Sequence, residues 1–207
     1  MIHALIFDLG NVLVYFSHER MFRQIGELVG RAGDEVRRLL TETDLLARYE
    51  CGAIKSRELH PAIERVFAQP IHFESLVLAA SDIFWRNESI EPVIDRLAAD
   101  EYALVLLSNT CESHVEWLDG RFSVLRHFRR RVLSFEVGTR KPEPAIFEAA
   151  ARAAGVDPAS CFFTDDTPGH VEAARQLGFD AVAYRHTPQL VTELRARGIT
   201  LFPPDHG

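Results

Sequence analysis

Asp8, Ser108, Lys141, Asp165 and Asp166 are the residues of this chain whose types and surroundings could do chemistry together. Asp8 follows the apolar run Ile2–Phe7, which puts its carboxylate at the mouth of a sheet, and Gly10 and Asn11 tolerate the sharp backbone path of such a loop. Ser108-Asn109-Thr110 follows Leu106-Leu107. A hydroxyl beside free backbone N–H groups at a helix N-terminus suits a phosphate oxygen, although Ser-Asn is equally a common helix cap. Lys141, in Arg140-Lys141-Pro142-Glu143, stands before a proline-started helix, where a fixed positive charge can offset a carboxylate and a phosphate together. Asp165 and Asp166 come directly after Phe162-Phe163-Thr164. Two adjacent acids repel, raising one pKa, unless a cation lies between them and a third acid. Oxygen-only ligands of that kind suit Mg²⁺. Each segment alone also reads as a turn, a cap or a solvated surface, and each gains weight from the others.

The elements that must position these residues are short apolar runs at Ile2–Phe7, Ala103–Leu107, Val132–Phe135, Cys161–Thr164 and Ala181–Tyr184. The later runs alternate with helix-like segments at Glu91–Ala99, Cys111–Leu118, Pro142–Ala154, Gly169–Leu177 and Pro188–Arg197. Strand and helix in alternation predict an α/β fold with a doubly wound, mostly parallel sheet. Pro142 is the expected first residue of one helix, where its missing N–H costs nothing. From Phe16 to Trp85 the sequence reads as helices, including Glu19–Val29, Glu35–Leu40 and Ser56–Phe67, with no convincing strand. That stretch is too long for an ordinary connection. It is expected to be an α-helical insertion over the carboxyl ends of the strands, dividing the chain into a core of residues 1–15 and 86–207 and an insertion of residues 16–85. Its apolar positions, such as Leu39, Leu40, Leu45 and Leu46, are expected to face a core of their own.

Composition sets outer limits. The chain has 207 residues, 47% hydrophobic and 26% charged, an ordinary globular mix that excludes a disordered or fibrous chain. Lys+Arg 23 against Asp+Glu 30 gives a net charge of −7, so no background attraction to nucleic acid or to an anionic membrane surface is expected. No apolar run reaches the roughly 20 residues of a membrane span. The start, Met-Ile-His-Ala-Leu-Ile-Phe-Asp, lacks a basic segment and is not expected to be a secretion signal. Cys51, Cys111 and Cys161 are far apart and form neither a disulfide framework nor a metal-ligand spacing, which fits a cytoplasmic setting. Nothing in the sequence speaks to an oligomeric state.

In order, spacing and strand-end placement, the four segments resemble the motifs of the haloacid dehalogenase (HAD) superfamily of phosphohydrolases, along nearly the whole chain. Asp8 matches the first motif, Ser108 the second, Lys141 the third and Asp165-Asp166 the fourth. The helical stretch resembles the mobile cap that many members insert after the first motif. Asp-Leu-Gly-Asn-Val, Leu-Ser-Asn-Thr, Arg-Lys-Pro-Glu and Phe-Thr-Asp-Asp are similar to a bacterial branch that includes an α-glucose-1-phosphate phosphatase.

The resemblance implies a phosphatase with a HAD-like Rossmannoid core acting on a small phosphorylated molecule, with a sugar phosphate favoured. Asp8 would attack phosphorus and form an aspartyl-phosphate that water hydrolyses. Mg²⁺ would be held by Asp8, the carbonyl of Gly10 and Asp166, with Asp165 direct or through water. Ser108 and the N–H groups of Leu9 and Asn109 would hold the phosphoryl oxygens, while Lys141 balances charge and orients Asp8. One position departs from the family: a second aspartate, the general acid and base, usually stands where this chain has Gly10. Losing that help, worth about 10²–10⁴-fold, should hurt poor leaving groups most and favour anomeric sugar phosphates or aryl phosphates. His18 or Glu19 could substitute, although both also read as a solvated helix entry. His170 is expected to cap a helix or to support the site from behind, and Trp85 and Trp117 to pack. A 2-haloacid dehalogenase, whose relatives also lack the second aspartate, is disfavoured by the paired acids. A binding or regulatory module without turnover is disfavoured by the free nucleophile.

Overall fold

The strands form where β-branched and aromatic residues alternate in side, so that both faces of a sheet can be buried. In the computed structural model, which describes residues 1–199 and 201, the chain runs through β1 (Ala4–Phe7), β2 (Val14–Phe16), five helices α1 (His18–Val29), α2 (Gly33–Thr41), α3 (Leu45–Glu50), α4 (Ser56–Phe67) and α5 (Phe73–Ser81), then β3 (Phe84–Arg86). It continues through α6 (Glu91–Ala99), β4 (Ala103–Ser108), α7 (Glu112–Leu118), β5 (Arg130–Leu133), α8 (Ser134–Val137), α9 (Pro144–Ala154), β6 (Cys161–Asp165), α10 (Pro168–Gln176), β7 (Asp180–Ala183) and α11 (Thr187–Ala196).

Five strands form one parallel sheet in the order β5-β4-β1-β6-β7. Leu5 and Phe7 of β1 face a core shared with Leu104, Leu106, Ile94 and Leu194. Ala4 and Ile6 face the opposite core, with Val105, Leu107, Phe147 and Phe163. Helices therefore cover both faces, and the expected doubly wound α/β architecture is the one observed. Because β1 is central and the chain crosses to β4 on one side and β6 on the other, the carboxyl ends of these three strands form a switch point, where open α/β sheets bind ligands. Residues 200 and 202–207 of the expected core lie outside the described residues.

The structure corrects the sequence reading in three places. The apolar run at Val132–Phe135 is a strand only to Leu133, and Ser134 and Phe135 open the short α8. Pro142 does not start a helix. The Lys141–Pro142 bond is cis, the Glu143 N–H closes a turn onto the Arg140 carbonyl at 2.9 Å, and Pro144 takes the helix's first turn instead. The stretch read as purely helical is bracketed by two short strands, β2 and β3, which pair antiparallel with Tyr15 opposite Trp85. Three residues each is too short a run for alternation to show in a sequence.

The helices between β2 and β3 have a core of their own, built from Met21, Phe22, Ile25, Leu40, Ile63 and Phe67 among others. Leu39, Leu45 and Leu46 pack against it, as the apolar pattern implied. Helix α1 begins where the Ser17 hydroxyl accepts from the Arg20 N–H at 3.1 Å, which fixes the entry from β2 and sets His18 at the first position of the helix. No helix among the described residues is long and apolar enough to cross a membrane.

Candidate active site

The register of the sheet does the gathering. Phe7 pairs with Leu106 on one side and Thr164 on the other, so the residues just beyond, Asp8, Ser108 and Asp165, converge at one edge. All of the motif residues singled out in the sequence lie there. Asp8, Leu9, Gly10, Ser108, Asn109, Lys141 and Asp166 line one pocket of about 370 Å³, and Asp165 lies buried behind it.

Lys141 is the hub. Its Nζ donates to Asp8 Oδ1 and to Asp165 Oδ2, both at 2.6 Å, and to the Leu107 carbonyl at 3.1 Å. Those contacts use the three donors of an ammonium. They take one oxygen of Asp8 and leave Oδ2 for chemistry. The lysine backbone is clamped by Asn109, whose side chain accepts from the Lys141 N–H at 2.8 Å and donates to the Lys141 carbonyl at 2.9 Å.

Charges at the hub do not cancel. Burial pushes the Asp8 carboxyl up to about 7; Lys141 opposes this and Asp165 adds to it. Burial pushes Asp165 the same way, but hydrogen bonds from His170 and Lys141 override it and hold that carboxyl at about 2. For Lys141, burial works against the charge, and the two carboxylates still keep the ammonium above its usual value. One ammonium between two buried carboxylates leaves a surplus of negative charge, and Asp166 adds a third acid. Carboxylate oxygens of Asp8, Asp165 and Asp166 all lie within 4.8 Å of one another. An all-oxygen, net-negative cluster of this kind fits a hard divalent cation such as Mg²⁺.

The two acids of the fourth motif are placed differently. Asp165 is fully buried and accepts from Lys141, from the Thr167 N–H at 2.8 Å and from His170, whose Nδ1 is 3.0 Å from Oδ1. Asp166 is half-buried, lines the pocket and is held by the Asn11 side-chain amide at 2.9 Å. The backbone demand falls on Asn11, which adopts a left-handed conformation with φ 56°, while Gly10 does not. The glycine meets a different requirement, since a Cβ there would lie 2.6 Å from Cε1 of Phe16.

Several contributors carried little signal in the sequence. Phe16, His18, Glu50 and Phe84 reach the pocket from the helical stretch and its base, and His114 reaches it from α7. The Phe16 ring stands edge-on to His18 with centroids 4.9 Å apart. His18 is exposed, yet the surrounding protein still pushes its imidazole below the usual value; nearby His114 acts in the same direction and Glu50 opposes it. Glu50 is paired with Arg140 at 3.1 Å. Glu19 is exposed and not among the lining residues. Trp117 stacks on the Arg121 guanidinium at 4.0 Å, and Trp85 lies against Tyr15 while remaining 48% exposed. Neither tryptophan lines the pocket.

The model of the haloacid dehalogenase-like hydrolase family matches residues 2–178. The chain belongs to that family. Among curated relatives, this HAD hydrolase is 23% identical to the D-ribitol-5-phosphate phosphatase of Bacteroides thetaiotaomicron over 87% of its own length and 90% of the relative. It is also 23% identical to the flavin mononucleotide hydrolase 1 of Arabidopsis thaliana over 56% of its length, a match spanning only 47% of that longer protein. Among solved structures, a HAD family enzyme of Bacteroides thetaiotaomicron, in complex with magnesium and inorganic phosphate, superposes with a TM-score of 0.80 at 25% identity. That superposition covers 89% of this chain and 95% of the other. Both curated relatives are named for removing phosphate from a small molecule.

Proposed function

We propose that this protein is a Mg²⁺-dependent phosphatase that releases phosphate from a small phosphorylated metabolite through an aspartyl-phosphate on Asp8. The observation that carries the reading is the placement of Lys141 Nζ 2.6 Å from both Asp8 and Asp165, beside Ser108 and Asp166 in one pocket.

In this reading Asp8 Oδ2 attacks phosphorus while the bond to the departing alcohol breaks. Water then attacks the same phosphorus, the acyl-phosphate bond breaks and Asp8 is regenerated. Ser108 and the backbone N–H groups of Leu9 and Asn109 hold the phosphoryl oxygens. Lys141, with its donors already engaged, contributes charge and holds Asp8 in place. Asp8, the Gly10 carbonyl and Asp166 would hold Mg²⁺, with Asp165 behind them; bound there, the ion would draw charge from the phosphoryl oxygens. Asp166 is the better-placed of the two acids for this, because Asp165 is taken up by Lys141, His170 and Thr167.

With glycine at position 10, proton transfer falls to another group. His18 is the candidate, because it lines the pocket that contains Asp8 and its surroundings hold its imidazole below the usual value. The helices over the pocket act as a cap. The missing acid favours departing oxygens that tolerate charge, which means an anomeric sugar phosphate or an aryl phosphate. Free thiols at Cys51, Cys111 and Cys161 agree with a reducing cytoplasm. A phosphate-release screen over sugar phosphates, nucleotides and p-nitrophenyl phosphate, with and without Mg²⁺, tests the reading. Release that needs Mg²⁺ and vanishes in Asp8→Asn supports it; chloride release from a 2-haloacid in EDTA would replace it with dehalogenation.

A further inference from the structure

A second cavity, of about 150 Å³, lies inside the helical cap. His18, Glu50 and His114 line both it and the catalytic pocket, so the two spaces share a wall. Beyond those residues the lining is mostly apolar, with Phe22, Ile25, Leu40, Leu59, Ile63 and Leu76 prominent. An apolar cavity of this size holds one six-membered hydrocarbon ring.

Apart from His18 on the shared wall, the polar groups along the cavity are already paired within the protein. The Tyr49 hydroxyl is 2.6 Å from the Ser56 hydroxyl and accepts from the Ser113 N–H at 3.0 Å. Ser56 in turn donates to Glu112 at 2.6 Å. His60 Nε2 is 2.7 Å from the Ile71 carbonyl, and His114 Nε2 is 3.1 Å from that of Ala80. Burial pushes the Cys111 thiol up to about 12 and the His114 imidazole below its usual value, which disfavours the charged form of each. A sugar entering this space would give up its hydrogen bonds to water and find few donors or acceptors in return, whereas a hydrocarbon ring would lose nothing.

We infer that the cap cavity is the leaving-group subsite, and that the substrate is a phosphomonoester whose alcohol portion carries a ring-sized apolar or aromatic group reaching past His18, Glu50 and His114. The inference rests on the phosphatase reading and narrows it, choosing the aryl or apolar class over the sugar class.

Two esters of primary alcohols of similar size separate the cases: cyclohexylmethyl phosphate and glucose 6-phosphate. With Mg²⁺ present, kcat/KM is expected to favour the first by about 100-fold, which corresponds to burying between three and four of the ring's methylenes at about fourfold each. Benzylphosphonate, which cannot be hydrolysed, is expected to raise the melting temperature at concentrations where methylphosphonate does not. Filling the cavity with Val77→Phe, or with Ile63→Phe should the first fail to fold, is expected to reduce the preference for cyclohexylmethyl phosphate over glucose 6-phosphate by about tenfold. Equal or better turnover of glucose 6-phosphate, equal stabilisation by the two phosphonates, or a preference untouched in a folded variant would each overturn the inference while leaving the phosphatase reading intact. Absence of phosphate release from every ester tried, p-nitrophenyl phosphate included, and from the anhydride acetyl phosphate would instead overturn the phosphatase reading and the subsite with it.

Discussion

Phe16 occupies the space that a side chain at position 10 would need, with its Cε1 2.6 Å from where a Cβ on Gly10 would stand. The ring is held by His18 on one side and by Phe84, with centroids 6.1 Å apart, on the other. Restoring an aspartate at position 10 therefore forces an aromatic cluster to move. Gly10→Asp alone is expected to destabilise the protein by about 1–3 kcal/mol, the usual cost of overpacking. The double variant Gly10→Asp/Phe16→Ala should recover part of that loss and gain more activity on alkyl phosphates than either single change. Thermal melts beside kcat/KM for an alkyl and an aryl phosphate check this.

Removing the hub leaves two buried carboxylates facing each other. Lys141→Met is expected to cost about 3–5 kcal/mol, because breaking a buried pair from one side leaves uncompensated charge. Urea titration measures it. Loss below about 1 kcal/mol would mean that the Asp8–Lys141–Asp165 arrangement adds little to the fold.

The raised carboxyl of Asp8 gives a pH signature in the metal-free protein. Its folded value of about 7 exceeds the model value of 3.8, so the folded form holds this proton more tightly. The stabilising contribution is complete below 3.8 and is lost as pH rises through about 7. Asp165, held at about 2, has the opposite sign: its contribution is present above 3.8 and lost as pH falls through about 2. In EDTA, Asp8→Asn should therefore raise the melting temperature at pH 8 and do much less at pH 5, with about 2–4 °C expected for each kcal/mol recovered. Mg²⁺ should likewise stabilise the wild type more at the higher pH.

If His18 moves the proton that Gly10 cannot, His18→Ala should lower kcat by about 10²-fold or more, with added imidazole restoring part of it. A KM change without a kcat change would mark His18 as a wall of the pocket only.

Much of this was legible in the sequence, and the reason is geometric. A strand has a period of two and ends at a definite residue, so an acid or serine directly after an apolar run is placed at a sheet edge, as Asp8, Ser108 and Asp165 are. Lys141 was legible only through its company. Its true setting depends on a turn at Arg140–Glu143 and on the Asn109 clamp, which join residues 32 apart. Glu50, His114 and the apolar cap cavity could not be read in advance, because they come together only when separate helices pack. Gly10 was expected to serve the backbone; its real partner is a ring six residues along, and short-range patterns do not reveal such a contact.

The most direct test of the account is to find the phosphoryl group on the enzyme. Acid quenching during turnover of radiolabelled acetyl phosphate with Mg²⁺ should leave label on the peptide that contains Asp8, released by hydroxylamine as an acyl phosphate is, and absent in Asp8→Asn. Steady phosphate release with no label on that peptide, or label on a different residue, would contradict it.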